Sequence, residues 1–198
     1  MPVATPIRTA RLTLIPATSA HVEAELAGSA AFAALMGAVV PASWPPGEYD
    51  EGAQRYFLEC LTAAGAAGDG WYGWYAVRTA DAENPATIVA GGGYFGPPSA
   101  AGLVEIGYSV CPEWQRHGYA AELASALAAH AMRQPGVARV QAQTTAENVK
   151  SVRVLERSGF VSIGIGTEPG TVRFDFVAPA HSPNLHPAAR AWLDPAAP

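Results

Sequence analysis

The chain has 198 residues, 49% of them hydrophobic and 15% charged, with a net charge of −5. This composition predicts one globular domain with a sizeable core, and it contains no basic run of the kind that nucleic-acid binding needs. No apolar stretch is long enough to cross a membrane, and two cysteines are too few for a disulfide framework or a zinc site.

Periodicity and turn residues predict the elements of the first half of the chain. In chain order they are a strand at 11–15 that ends at Pro16, a helix at 19–36 capped by Ser19, a loop at 37–50, a helix at 51–64, a break at 65–70, and strands at 71–78 and 87–94. The opening residues lack a signal-peptide pattern, so we expect a cytoplasmic protein.

The second half predicts a strand at 103–110, a helix at 118–133 with an apolar stripe that includes Leu123 and Leu127, a strand at 139–144, a short helix ending at Ser158, and a hairpin of 161–165 with 172–176. We therefore expect an α+β fold with a mixed sheet. A domain over residues 1–178 is followed by a tail at 179–198 that is rich in proline and alanine.

The junction between the strand at 103–110 and the next helix is the most informative segment. Pro112 stops ladder pairing, and the loop from Gln115 to Gly118 leads directly into a helix. Unpaired amides at a helix start bind anions, Gly118 lets the backbone approach a phosphate, and Arg116 can add a charge-assisted bond. An ordinary strand-to-helix turn carries a similar pattern, so the spacing alone leaves both interpretations open.

Two motifs and the N-terminal segment resemble the GNAT superfamily of N-acetyltransferases. Residues 115–120 (QRHGYA) match its Gln/Arg-x-x-Gly-x-Gly/Ala signature, with Ala120 at the last position, and residues 148–160 match its Asn-x-x-Ser…Gly-Phe element. Residues 9–14 (TARLTL) resemble the start of the RimJ/RimL-type branch, the ribosomal-protein N-terminal acetyltransferases. The resemblance implies a strongly twisted mixed sheet, flanked by helices, in which two parallel strands splay apart and hold acyl-CoA.

The resemblance also implies roles for individual residues. The amides of Gln115, Arg116, His117, Gly118, Tyr119 and Ala120 would hold the CoA diphosphate. The backbone at Val110 would bind the pantetheine arm beside the thioester, and Asn148 and Ser151 would face that arm. Acetyl-CoA is thus the expected co-substrate, and the expected partner is a primary amine on a small molecule or peptide.

Acylation requires an amine without its extra proton, so the site needs a base. The resemblance and the flanking Val104 and Ile106 make Glu105 the candidate base, although a structural strand glutamate is the alternative. The tyrosine that serves as general acid in many relatives is replaced by Leu155, which leaves Ser151 as the candidate acid.

Other reactive side chains predict less. Cys111 has no visible base partner and is expected to pack, and the histidines lack metal-ligand spacing, so no metal is predicted. Trp44 and Tyr49, in the loop at 37–50, are candidates for the acceptor side of the site.

A non-catalytic acyl-CoA sensor or regulatory subunit on the same fold is the alternative function. The acceptor amine and the choice between acetyl, succinyl and other short acyl groups stay open. The branch and the composition allow a homodimer.

Overall fold

The computed structural model describes residues 4–47 and 49–177. It contains eight strands and five α-helices over this range. The strands are β1 (Ile7–Arg8), β2 (Leu12–Pro16), β3 (Gly73–Arg78), β4 (Thr87–Tyr94), β5 (Leu103–Val110), β6 (Arg139–Thr145), β7 (Phe160–Ile165) and β8 (Thr171–Phe176). The helices are α1 (Ser19–Ala27), α2 (Ser29–Met36), α3 (Glu51–Ala64), α4 (Tyr119–Met132) and α5 (Val149–Arg157).

The expected α+β fold with a mixed sheet is confirmed: the sheet is mostly antiparallel and includes one parallel pair. The chain divides into two compact units, Met1–Gly93 with Tyr108–Tyr119, and Tyr94–Gly107 with Ala120–Pro198. The predicted tail at 179–198 lies outside the described residues. None of the described helices is long and apolar enough to cross a membrane.

In the first unit, β1, β2, β3 and β4 pair in that order, each antiparallel to the next. The first three helices pack against β3 and β4. Buried apolar side chains from the three helices, β3 and β4 form one cluster, which includes Val22, Phe32, Leu61, Tyr75 and Ile88. Burial of large apolar side chains of this kind is the main stabilising contribution to such a unit.

In the second unit, β6 pairs in parallel with β5 and antiparallel with β8, which also pairs with β7. The parallel ladder runs from Leu103↔Arg139 to Ile106↔Ala142, whereas β5 and β6 themselves continue to Val110 and Thr145. The predicted hairpin is present as β7 and β8.

Two local predictions are wrong. Residues 19–36 form two helices because Gly28, with φ of 124°, ends α1 and begins α2. The cap of α1 is Thr18, whose hydroxyl accepts from the amide of His21, and not Ser19. The predicted apolar stripe of α4 is present, with Leu123, Ala124, Leu127 and Ala131 buried, and burial extends to every residue from Ala121 to Ala129.

A buried carboxylate joins four elements of the first unit. Glu25 on α1 is 8% exposed, and its oxygens accept four hydrogen bonds. The donors are Trp44 Nε1 (2.6 Å) and Gln54 Nε2 (2.9 Å) to Oε1, and the hydroxyls of Tyr49 and Tyr75 (2.9 Å each) to Oε2. Burial raises the pKa of Glu25, and the hydrogen bonds offset part of that rise. The carboxylate thereby ties the loop at 37–50 to α1, α3 and β3.

We predict that Glu25→Ala lowers the free energy of unfolding by at least about 3 kcal/mol, because it leaves four donors without their acceptor. Denaturant unfolding followed by circular dichroism measures this. Glu23→Ala, an exposed glutamate on the same helix, is the matched control and should change stability by less than about 0.5 kcal/mol. Equal losses in both variants would contradict a structural role for the buried carboxylate.

Candidate functional site

The first group of predicted site residues lies where β5 leaves the sheet. The amide of Cys111 still donates to the Val89 carbonyl at 3.0 Å, and a 3-10 turn then spans Pro112–Trp114. Gln115 closes this turn: its backbone amide donates to the Pro112 carbonyl and its side chain donates to the Val110 carbonyl, both at 3.2 Å. The Gln115 amide is therefore already used inside the protein, contrary to the expectation that it faces a phosphate.

The loop after Gln115 has an uncommon backbone conformation. Arg116 has φ of 68° and Gly118 has φ of 84°, so two left-handed residues separate the turn from the start of α4 at Tyr119. Over the described residues, the amides of Arg116, His117 and Gly118 donate to no protein acceptor, and all three residues are exposed. Consecutive free amides with left-handed residues at a helix start form a concave anion site.

Side chains hold this loop in one conformation. The Nδ1 of His117 lies 2.9 Å from the Gln115 carbonyl oxygen, and the His117 ring stacks on Tyr119 at 6.0 Å between centroids. Tyr119 is itself buried. The structure therefore brings Val110 and Gln115 through Tyr119 together as one continuous feature.

The second group contains Glu105, which is half-buried on β5. Its Oε1 accepts a hydrogen bond from Gln143 Nε2 at 3.1 Å. The Oε1 of Gln143 in turn accepts from the Thr167 amide at 2.7 Å and from the Thr167 hydroxyl at 3.0 Å. These two bonds fix the amide orientation of Gln143, so that its NH₂ group faces Glu105.

Sequence reasoning missed Gln143, although one signal could have found it. Glu105 and Gln143 stand one residue before and one after the last ladder pair of the parallel strands, Ile106↔Ala142. Recognising that ladder would have placed the two side chains near each other. Thr167 lies in the β7–β8 turn and carries no such signal.

Asn148 and Ser151 meet at the start of α5. Asn148 is the N-cap residue, and its Oδ1 accepts from the Ser151 amide at 3.1 Å. Asn148 is exposed and Ser151 half-buried, whereas Leu155, one turn further along the helix, is 1% exposed. Leu155 therefore belongs to the core and carries no acid, as the sequence already required.

The loop at 37–50 contacts the end of β5. The Ser43 hydroxyl donates to Glu113 at 2.6 Å, and a side chain at Gly47 would collide with Ser109 Oγ. Trp44 and Tyr49 direct their polar atoms at Glu25, so only their ring surfaces are available to an acceptor. Among the described residues, no cluster of three or more His, Cys, Asp or Glu could hold a metal ion.

Comparison with known proteins gives a consistent family match. The model of the acetyltransferase (GNAT) domain matches residues 11–161. The Bacillus subtilis protein named "Uncharacterized N-acetyltransferase YjdG" is 32% identical over 118 residues, which is 60% of this chain and 67% of that protein.

Solved structures with the same fold include the acetyltransferase (GNAT family) from Bacillus anthracis, with a TM-score of 0.58 and 20% identity over 87% of this chain and 98% of that one. They also include RimL, a ribosomal L7/L12 alpha-N-protein acetyltransferase in complex with coenzyme A, with a TM-score of 0.59 and 17% identity over 87% of this chain and 98% of that one.

Cys111 should be chemically inert in the native protein. It is 0% exposed, and burial raises the pKa of its thiol to about 11, so only roughly one molecule in 10⁴ carries the thiolate at pH 7. We predict that a thiol reagent at pH 7 modifies Cys60, which is half-buried, well before Cys111. Mass spectrometry of peptides after timed labelling measures both rates, with Cys60→Ser as the control. Fast labelling at Cys111 in that variant would contradict the packed assignment.

Proposed function

The chain belongs to the acetyltransferase (GNAT) family, and on that premise we propose that it moves an acetyl group from acetyl-CoA to a primary amine by direct attack in a ternary complex. The family makes the chain an acetyltransferase and acetyl-CoA the donor of its reaction. The single observation that carries the assignment of the cofactor site is the loop after β5, with free amides at Arg116, His117 and Gly118 and two left-handed residues.

The residues of this loop fit a diphosphate. Among the described residues, the amides of Arg116, His117 and Gly118 have no acceptor, the dipole of α4 favours an anion at Tyr119, and Gly118 presents no side chain. In our proposal, the amides from Arg116 through Ala120 hold the CoA diphosphate, and the Val110 backbone and the side chains of Asn148 and Ser151 bind the pantetheine arm. When bound, acetyl-CoA supplies the acetyl group as a thioester.

Glu105 acts as the base in this proposal. An amine that arrives as an ammonium ion must lose a proton before it can attack, and the carboxylate of Glu105 can take that proton directly or through a water molecule. Gln143 holds Oε1, and over the described residues no hydrogen bond reaches Oε2, which is therefore the oxygen that accepts the proton.

Ser151 is the group that we propose to donate a proton to the departing thiolate or to orient water. Its amide is fixed by Asn148, and its place in the first turn of α5 follows from the family motif. A CoA thiolate is a good leaving group, so the acid contributes less to the rate than the base does.

The acceptor is an amine of a small molecule or a peptide, and the family gives no finer identity. The RimJ/RimL-type branch favours a peptide N-terminus. A homodimer and a cytoplasmic location belong to the proposal on the strength of the sequence alone. A non-catalytic sensor is not favoured, because nothing in the family match sets this chain apart from its acetyltransferase relatives.

We predict that Gly118→Val abolishes CoA binding, because the new side chain occupies the space that a phosphate needs. Isothermal calorimetry with CoA measures this. Gly136→Val is the matched control: Gly136 has φ of 83°, against 84° for Gly118, so the two variants share the same backbone strain but only one alters the loop. Unchanged CoA affinity in folded Gly118→Val would place the diphosphate elsewhere.

We predict that Glu105→Gln lowers kcat by roughly 10²–10⁴-fold and leaves CoA affinity unchanged, because glutamine keeps the bond from Gln143 but accepts no proton. The acidic limb of the rate–pH profile should vanish as well. The assay follows thiol release with an amine taken from a panel of free amino acids, polyamines and peptides with free N-termini. A fully active variant with an unchanged pH profile would remove Glu105 from the mechanism, and Ser151→Ala would then be tested next.

A further inference from the structure

Arg11, in the turn between β1 and β2, reaches the phosphate-binding loop across more than a hundred residues of sequence. Its Nη1 donates to the His117 carbonyl oxygen at 2.8 Å, and its guanidinium lies 4.7 Å from the centroid of the Tyr119 ring. A Cβ added at Gly118 would lie 3.3 Å from its Nη2. One guanidinium therefore contacts or borders three consecutive loop residues.

These contacts hold the peptide unit between His117 and Gly118 and the first residue of α4. The bond to the His117 carbonyl fixes the peptide unit whose nitrogen belongs to Gly118, and that amide is one of the three that have no protein acceptor. The stacking over Tyr119 holds the guanidinium against the first residue of α4. The Arg11 guanidinium itself adds a positive charge within a few ångströms of Gly118.

We propose that Arg11 is a positioning residue for the CoA diphosphate, which holds the loop at His117–Tyr119 in its anion-binding conformation and adds positive charge beside it. This inference rests on the proposed function, since it takes the loop to be the diphosphate site. It adds a residue outside the 115–120 signature, from near the start of the sequence.

The contacts of this side chain require an arginine at position 11 and could not all be made by a lysine. A guanidinium can donate to a carbonyl with one nitrogen, present a second nitrogen toward Gly118 and stack on an aromatic face at the same time. A lysine ammonium is a single point charge and does not satisfy these contacts together. Arg11→Lys should therefore recover only the electrostatic part of the effect.

The test is calorimetric titration of the full chain with CoA and with dephospho-CoA, which keeps the diphosphate but lacks the 3′-phosphate. Arg11→Leu should weaken both ligands by the same factor, roughly 10-fold or more, because a charge-assisted contribution to one shared group is lost. Arg11→Lys should fall between Arg11→Leu and the wild type. Arg8→Leu removes an exposed arginine from β1 as the matched control and should bind both ligands like the wild type.

The other outcomes would refute either the role of Arg11 or the proposed function. Loss of affinity for CoA but not for dephospho-CoA would assign Arg11 to the 3′-phosphate and contradict the inference. Wild-type affinity in Arg11→Leu, together with lost binding in Gly118→Val, would refute the role of Arg11 and leave the proposed function intact. Absence of CoA binding by the wild type at millimolar concentration would refute the proposed function itself.

Discussion

The short connection between β5 and α4 turns the chain and leaves the amides of Arg116, His117 and Gly118 without an acceptor among the described residues, and two left-handed residues make this possible. Arg116 adopts φ of 68° although it is not glycine, a conformation that costs about 1 kcal/mol or more and persists only where the surroundings enforce it. The closure of Gln115 onto Val110 on one side and the Arg11 contacts on the other supply that enforcement. In the function that we propose, this strained backbone would present its amides to the CoA diphosphate without rearrangement.

A second set of hydrogen bonds holds the loop at 37–50, which contacts the end of β5. In this loop, Trp44 and Tyr49 donate hydrogen bonds to the Glu25 carboxylate, and Ser43 donates one to Glu113. Two of the four donors to the buried Glu25 carboxylate, Trp44 and Tyr49, belong to this loop, so the carboxylate holds the loop at these two residues. Trp44 and Tyr49 are thereby held at their polar ends.

Sequence reasoning succeeded where the signal was local. Residue types and turn signals predicted the strands Thr87–Tyr94 and Leu103–Val110 with their correct ends, and the 115–120 signature marked the loop. It failed at Gly28, where helical periodicity continues across a break that only the backbone angle reveals. It also missed Gln143, because the contact with Glu105 follows from the register between β5 and β6 and not from a pattern within either strand.

The protein is proposed to transfer the acyl group of acetyl-CoA and not only to bind acetyl-CoA. Incubation with acetyl-CoA that carries an isotope-labelled acetyl group, followed by mass spectrometry of an amine panel and a thiol assay, measures transfer directly. We predict that one amine class acquires the labelled acetyl group, in an amount equal to that of the CoA thiol released. Gly118→Val should yield no labelled amine and no released thiol. Binding of acetyl-CoA by the wild type with no labelled amine and no thiol release would contradict the proposed transfer and support a sensor on the same fold.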